Sequence, residues 1–169
     1  QVVYPLMGPQ PTIEYGVGDA LAYIVIALTL VPLQSMGEEY AFRGLAFRIA
    51  ASWGRGPRVG LVLGIVVSSL LFMVAHFALD PWLNLYYFTF GVALCIITWR
   101  TGGVEAAVVL HAVNNALSFT IAVALQQDIN AGFDRSAGAA SAVMLIPCAV
   151  LLVLALIVWW RTPRAALAE

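Results

Sequence analysis

Five long apolar stretches, separated by short polar or helix-breaking segments, run through the 169 residues and leave this chain little choice of fold. They extend from about Ala20 to Ala51, Val59 to Phe77, Leu83 to Trp99, Val104 to Leu125 and Ala139 to Trp160. Each is long enough to cross a hydrocarbon core about 30 Å thick at about 1.5 Å per helical residue. The breaks are Gly54-Arg55-Gly56-Pro57-Arg58, Asp80-Pro81, Arg100-Thr101-Gly102-Gly103 and the segment from Gln126 to Gly138. Composition agrees: 62% of the residues are apolar and 10% charged, against roughly 45–50% and about 25% in soluble domains. The expected fold is an all-α, polytopic transmembrane bundle forming one membrane-embedded domain over residues 1–169. Residues 1–19 form an extracytoplasmic loop, 20–160 the bundle and 161–169 a cytoplasmic tail.

The first stretch is too long for a straight span, since about 32 helical residues reach about 48 Å. Pro32 and Gly37 are the expected places for a break, because proline removes an intrahelical hydrogen bond and glycine weakens the helix. If the stretches alternate in direction, Arg48, Arg55, Arg58, Arg100, Arg161 and Arg164 fall on one side and Arg135 alone on the other. The positive-inside rule makes the first side cytoplasmic, so the chain is expected to be multi-pass in the cell membrane with its carboxyl end inside. Trp159 and Trp160 beside Arg161 suit an interfacial belt.

The net charge of −1 gives nucleic acid no electrostatic footing. All eight basic residues are arginine, which fits a GC-rich bacterial coding sequence. Cys95 and Cys148 lie inside apolar runs without metal-ligand spacing and read as small buried hydrophobes. The opening Pro- and Gly-rich segment has neither a charged n-region nor an apolar h-region, so no signal peptide is read there.

Three polar clusters interrupt the apolar stretches, and an ionisable residue in a membrane is costly enough to mark a functional site. In Glu38-Glu39-Tyr40-Ala41-Phe42-Arg43, Glu39 and Arg43 share a helix face and can pair. Glu38, about 100° away, stays available as a base; the bland alternative is a packing salt bridge. Phe72 and His76 share a face near the end of the second stretch. His111 and Asn115 share one in the fourth, where together they can donate hydrogen bonds to a developing oxyanion, or serve as interhelical glue. Asn114 points elsewhere and reads as glue. Both histidines of the chain lie in these stretches, and a base with an oxyanion-stabilising pair is what amide hydrolysis by water requires.

These clusters resemble the three motifs of the CPBP intramembrane proteases, which include the type II CAAX prenyl endopeptidases and the bacterial bacteriocin-processing, Abi-like immunity proteins. E-E-x-x-x-R stands as Glu38-Glu39…Arg43, F-x-x-x-H as Phe72…His76 and H-x-x-x-N as His111…Asn115. The resemblance covers about residues 20 to 125. It implies that Glu38 and His76 activate the attacking water, that His111 and Asn115 form the oxyanion hole, and that Glu39, Arg43 and Phe72 support them. It also implies a membrane-associated peptide or protein substrate and that these five stretches are the last of about eight spans, with further chain before them.

No cofactor is favoured, although a zinc site built from Glu38, His76 and His111 would leave an open position for water. The rival outside enzymology is a scaffold, immunity factor or subunit of a membrane-protein complex that retains the protease fold. A proton-coupled carrier has no internal repeat to support it. Straight helices would set His111 and Asn115 nearer the cytoplasmic ends than Glu38 and His76. Bringing them together needs tilt, a sunken Arg100–Gly103 loop, or a cavity shaped from the cytoplasm.

Overall fold

A computed structural model describes residues 12–163; the segment 1–11 and the end of the tail, with Arg164, lie outside the described residues. It is an all-helical bundle whose five long apolar helices bear out the expected fold class. α1 (Val17–Glu39) runs through a π-helical turn (Tyr40–Ala46) into α2 (Phe47–Ser52). α3 (Pro57–Ala75), α4 (Pro81–Thr101), α5 (Glu105–Ala124) and α6 (Leu145–Arg161) follow.

Local chemistry sets the boundaries. Proline occupies the first turn of both α3 and α4, where its missing N–H costs nothing. Asp80 caps α4 by accepting from the N–H groups of Trp82 (2.8 Å) and Leu83 (3.1 Å). Gly102, at φ 81°, ends α4 in the left-handed conformation that costs glycine least.

α4 is the axis of the bundle. It packs against α3, α5 and α6 and is 56% buried, while no other span exceeds 28%. A helix so enclosed has no polar face to show, and its apolar residues accordingly point all round. Gly91 allows the close approach of α3, since a Cβ there would stand 2.8 Å from Ser69 Cα. The outer faces of the other helices carry exposed leucine, valine and isoleucine, including Leu28, Leu33, Val62, Val109 and Val153. In a bilayer those faces meet lipid. Cys95 and Cys148 are both buried and free, as the apolar runs implied.

The helices alternate in direction. At one end the α2–α3 turn meets the last turn of α4, and Arg100 donates from Nε to the Trp159 carbonyl (3.0 Å). At the other, Ile13 N donates to Gln126 O (2.9 Å) and Leu79 N to Arg135 O (2.7 Å). Arg48, Arg55, Arg58, Arg100 and Arg161 therefore share the first end, and Arg135 lies at the second.

The expected break at Pro32 or Gly37 does not occur. Residues Val17–Ser52 form one continuous helical segment of 36 residues, and both positions lie inside regular α1. Proline removes only one bond of the ladder, and α5 packed along α1 holds the turns on either side. The irregularity falls instead at Tyr40–Ala46. There the Phe42 carbonyl accepts from Phe47 N and from Ser68 Oγ (2.8 Å), and the wider turn carries Arg43 fully buried. Such bulges are frequent at functional sites.

Candidate active site

The first polar cluster sits where α1 passes into the π turn. Glu39 and Arg43, four residues apart, are both completely buried and paired, Arg43 Nη1 donating to Glu39 Oε1 at 2.8 Å. The Arg43 guanidinium also lies over the Phe72 ring, 4.3 Å from its centroid, so the cation is held by a carboxylate and a π face together. Glu38 turns to a different side, as the helical angle requires. Its side chain keeps 27% of its exposure and is hydrogen-bonded by Gln34 Nε2, one turn earlier.

α5 descends antiparallel to α1 and brings the third cluster onto the first. His111 Nδ1 lies 2.7 Å from Glu39 Oε1, and its Nε2 lies 3.7 Å from Glu38 Oε2. A carboxylate only accepts, so the Nδ1 proton points to Glu39 and Nε2 is turned toward Glu38. One turn on, Asn115 Nδ2 donates to Ser35 Oγ at 3.5 Å, a long contact. Asn115 Oδ1 accepts from Asn114 Nδ2 at 3.0 Å, which fixes the direction of the amide.

The depth mismatch expected for straight helices is resolved by a sunken loop. A Cβ on Gly44 would lie 4.0 Å from Val104 Cγ1. α5 thus starts opposite Gly44, about 12 Å short of the helix end at Ser52 at about 1.5 Å per residue.

His76 closes α3 as its C-cap residue. Its Nδ1 lies 2.8 Å from the Phe72 carbonyl, which only accepts, so Nδ1 carries the proton and the neutral ring offers a lone pair at Nε2. The ring stacks on Tyr87 of α4, with centroids 3.9 Å apart, and lies 4.6 Å from the Phe72 ring.

Glu38, His76, His111 and Asn115 all line one cavity of about 430 Å³, together with Phe72. Glu39 and Arg43 stand behind it, as the shared helix face suggested. Glu38 is seated against His111, and among the described residues His76 makes no hydrogen bond or ion pair with it. Asn114 is not among the residues lining the cavity, and its amide reaches the Tyr86 hydroxyl on α4 at 3.3 Å, the interhelical role read for it. α5 lies between α1 and α4, so neighbouring positions both find partners. The cavity is bordered by Phe133 and Arg135, at the end opposite the arginine cluster, and is not shaped from the arginine-rich end.

Sequence reasoning passed over Gln34, Ser35, Tyr86, Tyr87 and Arg135. Gln34 and Ser35 lie four residues before Glu38 and Glu39, a spacing that could have found them. The tyrosines on α4 and Arg135 in its loop carried no such signal. Asp80, read only as a break, is 1% exposed and ties the cavity's loop down. Its Oδ2 accepts from Gly138 N (3.0 Å) and Ala140 N (3.4 Å). Burial opposes its charge, but the backbone N–H groups of Leu83, Ala140, Gly138 and Trp82 outweigh it and hold the carboxyl below its usual range.

A bundle of membrane-spanning helices that turns two histidines, a glutamate and an asparagine onto one internal cavity belongs to the polytopic membrane proteins with a polar intramembrane site. More narrowly, the chain belongs to the family described as type II CAAX prenyl endopeptidase Rce1-like, which matches residues 20–117. It is thus a member of a CAAX-type intramembrane protease family, as the three motifs implied. The chain is also 34% identical over 109 residues to the uncharacterized protein YyaK of Bacillus subtilis, covering 60% of this chain and 35% of that protein. It therefore spans about a third of the length of the curated relative it matches. No solved structure matches it.

Proposed function

We propose that this protein is an intramembrane endopeptidase that hydrolyses a peptide bond of a membrane-associated substrate with water activated by Glu38. The observation that carries this reading is the Glu38 carboxylate. Its Oε2 is buried without a hydrogen-bond partner, 3.7 Å from His111 Nε2, and the residue lines a cavity shared with His76 and Asn115. A water bound to Glu38 would give it a proton, and the resulting hydroxide would add to the substrate carbonyl. Asn115 Nδ2 would donate to the oxyanion, joined by His111 Nε2 when the ring carries both protons. Glu38 would then return its proton to the departing amine, restoring the site. His76, accepting through Nε2, would help to orient the water. Glu39 and Arg43 hold His111 in place, and Phe72 is the plate on which Arg43 and His76 rest.

A zinc ion on Glu38, His76 and His111 is the alternative within hydrolysis. Among the described residues no three such side chains converge at ligand spacing, which favours the metal-free reading. The substrate class is a lipid-anchored or membrane-spanning peptide, of the prenylated CAAX type or a bacteriocin-like precursor. The setting is a bacterial cell membrane with the carboxyl end in the cytoplasm. The test reconstitutes the full-length protein with candidate membrane substrates of both kinds, with and without a chelator, while bound metal is measured. Cleavage that survives chelation of a metal-free preparation supports the glutamate mechanism. Loss of cleavage, restored by zinc, replaces it with the metalloprotease, and failure to cleave any substrate favours the scaffold.

A further inference from the structure

His76 has a single polar anchor. Among the described residues its side chain makes one hydrogen bond, from Nδ1 to the Phe72 carbonyl of its own helix, and nothing polar holds Nε2. α3 ends at Ala75 and Phe77 is left-handed at φ 50°, so no further helical turn encloses the ring. A histidine that must accept through Nε2 at one fixed point needs its plane held by other means.

Two aromatic rings hold it. Tyr87 of α4 covers the imidazole, with centroids 3.9 Å apart and planes only 23° from parallel, and Phe72 lies 4.6 Å away, inclined at 54°. The Phe72 and Tyr87 rings are 6.5 Å from each other, so His76 sits in the corner between them. Each ring carries a guanidinium. Arg43, buried on Glu39, lies 4.3 Å from the Phe72 centroid, and Arg135 lies 5.5 Å from that of Tyr87, a range in which a cation is drawn to a ring. Tyr87 is 4% exposed and among the described residues its hydroxyl has no hydrogen-bond partner, so the ring is what it brings to this corner.

The loop places the second arginine. The Arg135 carbonyl accepts from Leu79 N at 2.7 Å, three residues beyond His76, and its Nη1 donates to the carbonyls of Gly132 (3.0 Å) and Asp134 (3.1 Å). Among the described residues it has no ion pair, so no carboxylate competes with the Tyr87 ring for its charge. Asp80 ties the same loop down through Gly138 and Ala140. The loop that borders the cavity is thus braced against His76 through Tyr87.

We propose that Tyr87 and Arg135 are positioning residues for His76. Arg135 holds the Tyr87 ring in place, and that ring holds the imidazole with Nε2 turned to the cavity. The inference rests on the reading of His76 as the acceptor that orients the attacking water.

The test uses full-length protein carrying isotope-labelled histidine in nanodiscs, with the ring nitrogens followed by NMR at about pH 8, where histidine is ordinarily neutral. His76→Gln identifies the His76 signals. In the wild type the two His76 nitrogens should be well separated, Nδ1 protonated and Nε2 bare. Tyr87→Leu should draw them toward a common average, Arg135→Gln should do so in part, and Tyr87→Phe should keep them apart. On a substrate that the wild type cleaves, Tyr87→Leu should lower kcat about ten- to hundredfold with KM within about threefold. Arg135→Gln should lower kcat about two- to fivefold, and Arg135→Lys should lie closer to the wild type. The nitrogen signals need no substrate, so they judge the positioning even where the protein cleaves nothing and the protease reading fails. Arg135→Gln, in a loop, judges it where Tyr87→Leu does not fold. His76 nitrogens unchanged in Arg135→Gln would overturn the proposal. So would averaged nitrogens in Tyr87→Phe, which would move the role from the ring to the hydroxyl, or a raised KM at unchanged kcat in Arg135→Gln, which would make Arg135 a substrate contact.

Discussion

His111 Nδ1 and Arg43 Nη1 converge on a single carboxylate oxygen, Glu39 Oε1, at 2.7 and 2.8 Å. Glu39 therefore ties the third motif to the first, and it fixes which nitrogen of His111 is turned to Glu38. Glu39→Gln can still accept from Arg43 or from His111, but it loses the charge that holds both. Turnover should fall about 10²–10⁴-fold. Breaking a fully buried pair should also cost about 3–5 kcal/mol, seen as a lower yield of folded protein. Activity per folded molecule separates the two effects, and an undiminished value would show that Glu39 serves packing alone.

Asn115 and Asn114 should behave differently although they are neighbours. Asn115→Ala removes the amide assigned to the oxyanion and should cost about 10²–10³-fold in kcat with KM nearly unchanged. Asn114→Ala removes only the contacts that direct that amide, to Asn115 Oδ1 and the Tyr86 hydroxyl. A loss of about tenfold or less is expected, and kinetics of both variants on one substrate check the order.

Asp80 links pH to the loop that roofs the cavity. Its carboxyl is held below the usual range by backbone N–H donors, which prevail over burial. The stabilisation is therefore whole above the unfolded value of about 3.9 and is lost as pH falls through the lower folded value. Asp80→Asn places a donor against the N–H groups of Gly138 and Ala140 or of Trp82 and Leu83. It should destabilise by about 1–3 kcal/mol at neutral pH. Denaturation of both proteins across pH should show that difference shrinking below about pH 4; a difference independent of pH would contradict this role.

The two ends of the bundle give a topological expectation. With Cys95 and Cys148 buried, Arg55→Cys should be labelled by an impermeant reagent only from the cytoplasmic side of membrane vesicles, and Ser136→Cys only from the opposite side. Labelling of both from one side would overturn the alternation or the arginine rule. If labelling gives that result, the histidine cavity, which borders Arg135, lies toward the non-cytoplasmic end, and a substrate must reach it from there.

The spans were legible because hydropathy reports length directly, and both ends of all five stretches fall within about three residues of the helix ends. The site residues were legible because ionisable side chains are costly inside apolar helices, and those at i, i+4 there share one face. What stayed hidden depends on how the helices meet. The π turn at Tyr40–Ala46 needs Ser68 of another helix to bind the Phe42 carbonyl. The sunken start of α5 depends on Val104 resting against Gly44. The pairing of His111 with Glu38 follows from that register, which spacing along the chain does not contain. Asp80 was readable in advance, like Gln34 and Ser35, since Asp before Pro is a cap followed by a first helical residue.

The most direct measurement is cleavage of a reconstituted membrane substrate by full-length wild type and by Glu38→Gln, at equal amounts of folded protein. Glutamine keeps the shape and can still accept from Gln34, but it cannot take a proton from water. The account predicts that hydrolysis falls about 10²–10⁴-fold while substrate binding is retained. Undiminished cleavage by Glu38→Gln would contradict it and leave Glu38 a structural partner of His111.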